Sequence, residues 1–320
     1  MPDQVEVHTD PADQRCAVVA ILGAPNAGKS TLVNQVVGSK VAAVTNKVQT
    51  TRAALRGIAM RGDAQLILID TPGVFAPRRR LDRAMVRAAW NALEGADSIV
   101  HLIDAPAHAG EGPKKGADGR AVEDSERIAA KLKELGKPAI LALNKIDGAP
   151  RPALLALTQK LVEQGLYTDV FMISALNGDG VEDLAMTLAE RAPKSHWLFP
   201  EDQTMDAPVR LLAAEITREK AFLRLHDEIP YELIVETEAW EERPDGSVKI
   251  DQIIFIARES QRKIAIGAKG QTIKAIGEAA RKELEKALDR RVHLFLHVKV
   301  RENWTEERAL YAQLGLDWDV

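Results

Sequence analysis

Residues 23–30 read Gly-Ala-Pro-Asn-Ala-Gly-Lys-Ser, a run bounded by glycines and closed by a lysine and a hydroxyl. That spacing suits phosphate chemistry. Gly23 and Gly28 let the backbone turn its N–H groups inward around an anion, with Pro25, Asn26 and Ala27 carried on the turn between them. Lys29 supplies a cation that can reach β- and γ-phosphates. The Ser30 hydroxyl, with Thr31 beside it, offers a hard oxygen to Mg2+. The run follows the apolar stretch Cys16–Leu22 and opens a helical pattern, Lys29–Val37. A phosphate held there would face a helix N-terminus, where the field favours negative charge.

Three further motifs fit the rest of a nucleotide. Asp70-Thr71-Pro72-Gly73 ends an apolar run. It places a carboxylate to hold Mg2+ through water and a Gly73 N–H to meet the γ-phosphate. Between the two motifs, Lys40–Arg52 carries Thr45, Thr50 and Thr51 with few apolar anchors. Thr50 and Thr51 are expected to join Mg2+ and phosphate and to let go after hydrolysis. In Asn144-Lys145-Ile146-Asp147 the Asp147 carboxylate can accept from both N1–H and the exocyclic amine of guanine. Adenine offers no such pair, so the mismatch is costly. Asn144 should bridge to the phosphate loop and the Lys145 stem should lie along the base. Ser174-Ala175-Leu176 completes the base pocket, with the Ala175 N–H expected near O6. The expected ligands are therefore GTP or GDP with Mg2+, held by Ser30, Thr50, Thr51 and Asp70. The expected reaction is hydrolysis of GTP to GDP and phosphate.

Such groups need strand ends to hold them. Strand patterns at Cys16–Leu22, Arg52–Met60, Gln65–Asp70, Ser98–Asp104, Pro138–Leu143 and Asp169–Ser174 alternate with helical ones. The helical patterns are Lys29–Val37, Leu81–Leu93, Val122–Leu135, Arg151–Glu163 and Val181–Glu190. This alternation predicts an α/β domain over residues 15–190 with a mostly parallel sheet covered on both faces. Arg61-Gly62-Asp63 predicts one hairpin, and His108–Arg120 reads as an exposed Gly- and Lys-rich loop. Residues 191–207 break the pattern and read as a linker, packed through Trp197 and Phe199. From residue 208 to 320 the order changes to a helix, two strands, a glycine loop between helices, a last strand and a short helix at Trp304–Leu314, an α+β domain.

A chain of 320 residues with 46% apolar content supports two domains, and no run is apolar enough to cross a membrane. Residues 1–14 are polar and read as a disordered tail without a signal peptide, which predicts a cytoplasmic protein. The lone Cys16 lies in an apolar run and reads as a buried strand residue. Net charge is -4, but Gln261–Arg290 holds 8 Lys/Arg against 4 Asp/Glu. A basic island in an acidic chain fits a local polyanion surface. Arg78, Arg79, Arg80, Arg83 and Arg87 read equally as a solvated helix face or as an RNA or partner contact. Trp304 and Tyr311 read as apolar cover rather than as stacking platforms.

Within the island, Gly267-Ala268-Lys269-Gly270 joins two helical patterns. Small residues there admit a nucleic-acid backbone, Lys269 can meet phosphate, and Lys263 and Lys274 add charge. Ile264, Ile266, Ile273 and Ile276 recur at helical spacing, divided between core and an apolar groove for unpaired bases. The element order resembles a type II KH domain. With the GxPNxGKS, DTPG, NKxD and SAL motifs, the chain resembles translation-factor-class GTPases of ribosome assembly and, over essentially its whole length, the Era family. That resemblance implies binding to the single-stranded 3′ end of small-subunit ribosomal RNA and a role in maturation of the 30S subunit. It also implies peripheral association with the inner membrane and K+ coordinated by Asn26, which adds Asn26 to Lys29, Thr50, Thr51 and Gly73 as expected catalytic residues. Small signalling GTPases carry a water-orienting glutamine where this chain has Val74, so water must be positioned otherwise. Ala27 departs from the valine usual in this class, with only a small change in packing expected. Two rival readings are an RNA- or protein-modifying accessory factor and a switch on membrane or protein partners with a structural C-terminal half. The first lacks a Cys/His/Asp cluster after Asp206.

Overall fold

The computed structural model describes residues 13–44, 55–109, 115–225, 229 and 233–320. Thr45, Thr50 and Thr51 lie outside the described residues, as do most of the N-terminal tail and part of the Gly- and Lys-rich stretch. The first half runs β1 (Arg15–Gly23), α1 (Lys29–Val37), β2 (Leu55–Arg61), β3 (Ala64–Asp70), α2 (Arg80–Asn91), β4 (Ser98–Asp104), α3 (Ala105–His108), α4 (Gly116–Glu134), β5 (Ala139–Asn144), α5 (Arg151–Val162), β6 (Tyr167–Met172) and α6 (Val181–Arg191). The strands form one sheet of order β6-β5-β4-β1-β3-β2 with a short seventh strand, β7 (Met205–Asp206), on the far edge. All neighbours are parallel except β2, which is antiparallel to both β3 and β7.

Every residue of β3 and β5 is buried, because helices cover both faces and neither strand has a polar side to show. On one face Leu32, Val33 and Val36 of α1 and Leu184, Ala185 and Leu188 of α6 pack against Val19, Ile21, Leu66 and Leu68. On the other, Ala89, Ile128 and Leu132 pack against Ala20, Leu22 and Ile99. Strand β1 lies between β3 and β4, and the connection leaving its C-terminal end runs toward β2 and β3 while the one leaving β4 runs the opposite way, toward β5. That divergence opens a crevice at Gly23, where open α/β sheets bind ligands.

The second half runs α7 (Val209–Arg224), β8 (Leu233–Glu242), β9 (Val248–Ile256), α8 (Glu259–Ile266), α9 (Gln271–Leu288), β10 (Val292–Val300) and α10 (Arg308–Gln313). Its sheet has the order β10-β9-β8, with β8 antiparallel and β10 parallel to β9. Alternate residues Leu233, Val235, Ile254 and Ile256 face Ala214, Ala221 and Ile276 of the covering helices. The opposite face, at Ile234 and Phe255, meets the C-terminal segment and α2 of the first half.

Two expectations need correction, and one gains detail. The stretch read as a linker contributes β7, whose Met205 and Asp206 pair with Gly57 and Arg56, while Thr204 O accepts from Ile58 N at 2.8 Å. A free β2 edge would expose unpaired backbone groups, and this short strand covers it. The buried Gln65 side chain holds the same stretch: Oε1 accepts from Leu198 N and Phe199 N, and Nε2 donates to Phe199 O. Trp197 Nε1 donates to Asp63 O at 3.1 Å, so the packing through Trp197 and Phe199 is present. Second, His108–Arg120 is not a loop throughout, because α3 ends at His108 and α4 begins at Gly116. Asp118 in its first turn suits the helix dipole, and Gly119 is buried. Third, Trp304–Leu314 is a 3-10 turn followed by α10 rather than one helix. Trp304 and Tyr311 are 1% and 0% exposed, so neither offers a stacking face.

Candidate nucleotide site and nucleic-acid interface

The glycine run between β1 and α1 is shaped by close approaches. Gly28 has φ 99°, and a Cβ there would sit 2.3 Å from Asn144 Nδ2. A Cβ on Gly23 would sit 2.6 Å from Leu102 O. Asn26 also adopts the left-handed region, with φ 65°, and its side chain is exposed. Ala27 is fully buried in the core beneath α1. Lys29 is 6% exposed, and its Nζ donates to Gly23 O at 3.1 Å and Ala24 O at 3.0 Å. Burial pulls its ammonium from 10.5 down to about 8, with the Asp70 carboxylate pulling the other way. The cation is therefore held under the loop, desolvated and aimed where phosphate oxygens would replace the carbonyls.

Ser30 Oγ donates to Asp70 Oδ2 at 2.7 Å, which brings the end of β3 to the start of α1. Thr71 Oγ1 donates to Ile21 O at 2.6 Å and locks the strand end in place. Pro72 is buried, and a Cβ on Gly73 would meet Pro25 Cα at 2.9 Å. The second motif thus lies directly against the first. Val74 is fully buried among Ala20, Leu22 and Ala89, and its N–H donates to Gly23 O at 3.2 Å. It is a core residue, consistent with its inability to orient water.

Asn144, 2% exposed, ties the base motif to the phosphate loop: Nδ2 donates to Ala27 O at 2.7 Å. Its Oδ1 accepts from Ala175 N at 2.9 Å. This differs from the expectation for Ala175, whose N–H is committed to Asn144 instead of standing open toward a purine O6. Lys145 has φ 63°, and its Nζ pairs with Asp104 Oδ2 at 2.6 Å. Asp104 was not singled out from the sequence, although a carboxylate ending a strand beside the crevice is the available signal. Asp147 is exposed at the crevice rim, Ser174 is buried, and Leu176 is 78% exposed beside the buried Ala175.

The glycine loop of the second half lies apart from this site. Gly267 has φ 75°, and a Cβ there would collide with Thr272 Oγ1 at 2.2 Å. Ala268–Gly270 form a 3-10 turn with Lys269 at φ 49°, and α9 starts at once after Gly270. Lys263, Lys269 and Lys274 are exposed around it. Ile276 is core, Ile266 and Ile273 are partly buried against the same cluster, and Ile264 is 55% exposed. The isoleucines thus divide between core and surface, and a surface of apolar and cationic groups surrounds a bare backbone turn.

The two halves meet through α2. Leu81, Ala84 and Met85 pack on Trp304, Leu310, Tyr311, Leu314 and Leu316. The Arg80 guanidinium lies 4.2 Å over the Trp318 ring, and Arg87 donates to Asp319 O at 2.8 Å. Two members of the arginine run therefore engage the C-terminal segment.

Comparison with known proteins agrees with both halves. A family model described as 50S ribosome-binding GTPase matches residues 18–145, and one described as KH domain matches residues 228–305. GTPase Era of Caulobacter vibrioides is 58% identical over 308 residues, 96% of this chain and 98% of the relative. GTPase Era of Brucella suis is 54% identical, over 97% of this chain and 96% of the relative. A crystal structure of Era in complex with MgGDPNP and nucleotides 1506–1542 of 16S ribosomal RNA is 37% identical and superposes with a TM-score of 0.85 over 94% of this chain and 99% of that one. A P-loop α/β half with its guanine motifs, a KH half, and relatives matched along nearly their full length lead to one conclusion: the chain is a GTPase and belongs to the Era family.

Proposed function

We propose that this GTPase is a switch that binds the single-stranded 3′ end of small-subunit ribosomal RNA in its GTP state, releases it after hydrolysis, and acts in maturation of the 30S subunit. The observation that carries the reading is the joint presence of a nucleotide crevice and a bare, cationic glycine turn in one packed body. The relative holding MgGDPNP and 16S RNA supports it, since a TM-score of 0.85 over both halves calls for a similar relative placement of the two. The description naming the 50S subunit belongs to residues 18–145 alone, which lack the glycine turn, so the KH half decides the RNA partner.

In this reading the G half is residues 15–190, the connector 191–207 and the RNA half 208–320. Gly23, Pro25, Asn26, Ala27, Gly28, Lys29, Ser30 and Thr31 hold the phosphates, with Asp70, Thr71, Pro72 and Gly73 on the γ side. Asn144, Lys145, Asp147, Ser174, Ala175 and Leu176 surround guanine. A hydroxyl and a buried carboxylate 2.7 Å apart form a hard-oxygen pair that fits Mg2+, so Ser30 and Asp70 would hold it with Thr50 and Thr51. The ion supplies charge neutralisation of the phosphates during hydrolysis. The exposed Asn26 amide oxygen fits K+, and turnover should then exceed that in Na+. Lys263, Ile266, Gly267, Ala268, Lys269, Gly270 and Lys274 form the RNA contact. A cytoplasmic location with peripheral attachment at the inner membrane completes the proposal and is checked by cell fractionation.

The test is binding of a labelled single-stranded RNA matching the 3′ end of small-subunit ribosomal RNA. It compares GTP-analogue and GDP states at stated salt, with a scrambled RNA as control. Tight, sequence-selective binding that weakens in GDP is expected. Binding blind to sequence and nucleotide would overturn the reading and favour a protein or membrane partner.

A further inference from the structure

The RNA half reaches back to grip the segment that enters the threonine-rich stretch. Glu219 of α7 is 3% exposed, and its Oε2 accepts from Lys40 Nζ at 2.7 Å and from the Val44 backbone N–H at 2.8 Å. Lys40 also pairs with Glu283 of α9 at 3.0 Å, and Lys220 pairs with Glu219 Oε1 at 2.7 Å. From the other side, Asn34 of α1 braces the same segment: its Oδ1 accepts from Val41 N and Ala42 N, and its Nδ2 donates to Ala42 O, all at 2.9 Å. Residues 40–44 are therefore clamped between the helix that starts at the phosphate loop and two helices of the RNA half. The chain continues directly from Val44 into Thr45, Thr50 and Thr51.

The far end of this clamp is the glycine turn. α9 begins immediately after Gly270, and Glu283 lies about thirteen residues along it, roughly 20 Å at 1.5 Å per residue. Nothing flexible intervenes, since α9 is one continuous helix packed on α7. The junction at α2 is an apolar cluster edged by Arg80 over Trp318 and Arg87 on Asp319 O, and non-directional packing weakens only gradually with displacement. Two donors converging on one carboxylate oxygen tolerate little, because hydrogen bonds weaken steeply with angle and distance.

We propose that Glu219 is a positioning residue that passes nucleotide state to the RNA groove. With GTP bound, residues 40–44 hold the register that seats Lys40 and Val44 on Glu219. After hydrolysis the seat is lost and α7 and α9, with the glycine turn, are released. This rests on the GTP-gated RNA binding proposed above and specifies its regulation.

The experiment uses the full chain and the variants E219Q, K40M and K40R. It measures affinity for the 3′-end RNA with a GTP analogue and with GDP, alongside GTP-analogue affinity and basal turnover. E219Q and K40M should bind RNA about fivefold or more weakly than wild type in the GTP-analogue state while GDP-state affinity is unchanged, so the ratio of the two falls toward one. K40R should keep the ratio, and nucleotide affinity should stay within about twofold throughout. A wild-type ratio in E219Q and K40M overturns the proposal. So does an equal loss in both nucleotide states, which would mark Glu219 as a purely structural residue. If wild type itself shows no nucleotide dependence, the gated RNA binding fails and the proposal fails with it, an outcome read from the wild-type arm alone.

Discussion

At the scale of single residues the nucleotide site is a set of groups held slightly against their preferences. Lys29 is a cation whose burial lowers it to about 8, offset in part by Asp70. A phosphate favours the protonated amine, so its value in the complex lies above its value in the free protein. Nucleotide binding then takes up a proton as pH rises through 8, and affinity must fall over that window. With a free value of about 8, GTP-analogue affinity should be nearly flat below neutrality and drop about fourfold between pH 7 and 8.5. Fluorescence titration of a GTP analogue across that range checks this, and a pH-independent affinity would sink it. Gly28 and Asn144 form a second such unit. A Cβ at Gly28 would displace the Asn144 side chain, which joins Ala27 O and Ala175 N. Gly28→Ala and Asn144→Ala should each weaken GTP-analogue binding by about 30-fold, roughly 2 kcal/mol, by stranding buried polar groups. Because both break one bridge, the double variant should lose little more. Additive losses in that cycle would show the bridge is not the shared cause.

At the scale of elements, what could be read from sequence was what is local in sequence. Each guanine motif is a contiguous run at one strand's end, and strand periodicity plus glycine spacing locates it without knowing its neighbours. The β7 edge strand is only two residues long and has meaning only beside β2, so no periodicity announces it. The start of α4 was hidden by its own glycines, whose helix penalty is outweighed by packing at Gly119. Glu219 was illegible for the strongest reason: a charged residue on a helix reads as solvated unless its partner, 179 positions away, is known. The glycine turn gives an element-scale prediction. Gly267 and Gly270 both have positive φ, yet a Cβ at Gly270 meets nothing within 4 Å while one at Gly267 strikes Thr272. Gly270→Ala should cost about 1 kcal/mol from backbone strain alone. Gly267→Ala should cost roughly 2–4 kcal/mol by forcing apart the first turn of α9. Chemical denaturation of the two variants compares them, and equal losses would mean the turn relaxes freely around Thr272.

At the scale of the whole molecule, charge decides how RNA meets the protein. The chain is net -4, yet Gln261–Arg290 carries 8 basic against 4 acidic residues, so the remainder is strongly acidic and repels a polyanion. Two arginines after the second nucleotide motif are also spent on the C-terminal segment, with Arg80 over Trp318 and Arg87 on Asp319. With Arg262 paired to Glu259, the exposed lysines at the glycine turn are Lys263, Lys269 and Lys274. For single-stranded nucleic acid each neutralised phosphate adds about -0.7 to the slope of log K against log salt. Three such contacts predict a slope near -2 for the 3′-end RNA between about 50 and 200 mM salt, and Lys269→Ala should bring it down by about 0.7. The substitution should weaken specific and scrambled RNA alike, since a phosphate contact positions without reading sequence. A slope steeper than about -4 would mean that a second basic surface, outside the glycine turn, carries much of the binding, and that this surface includes the arginines of α2.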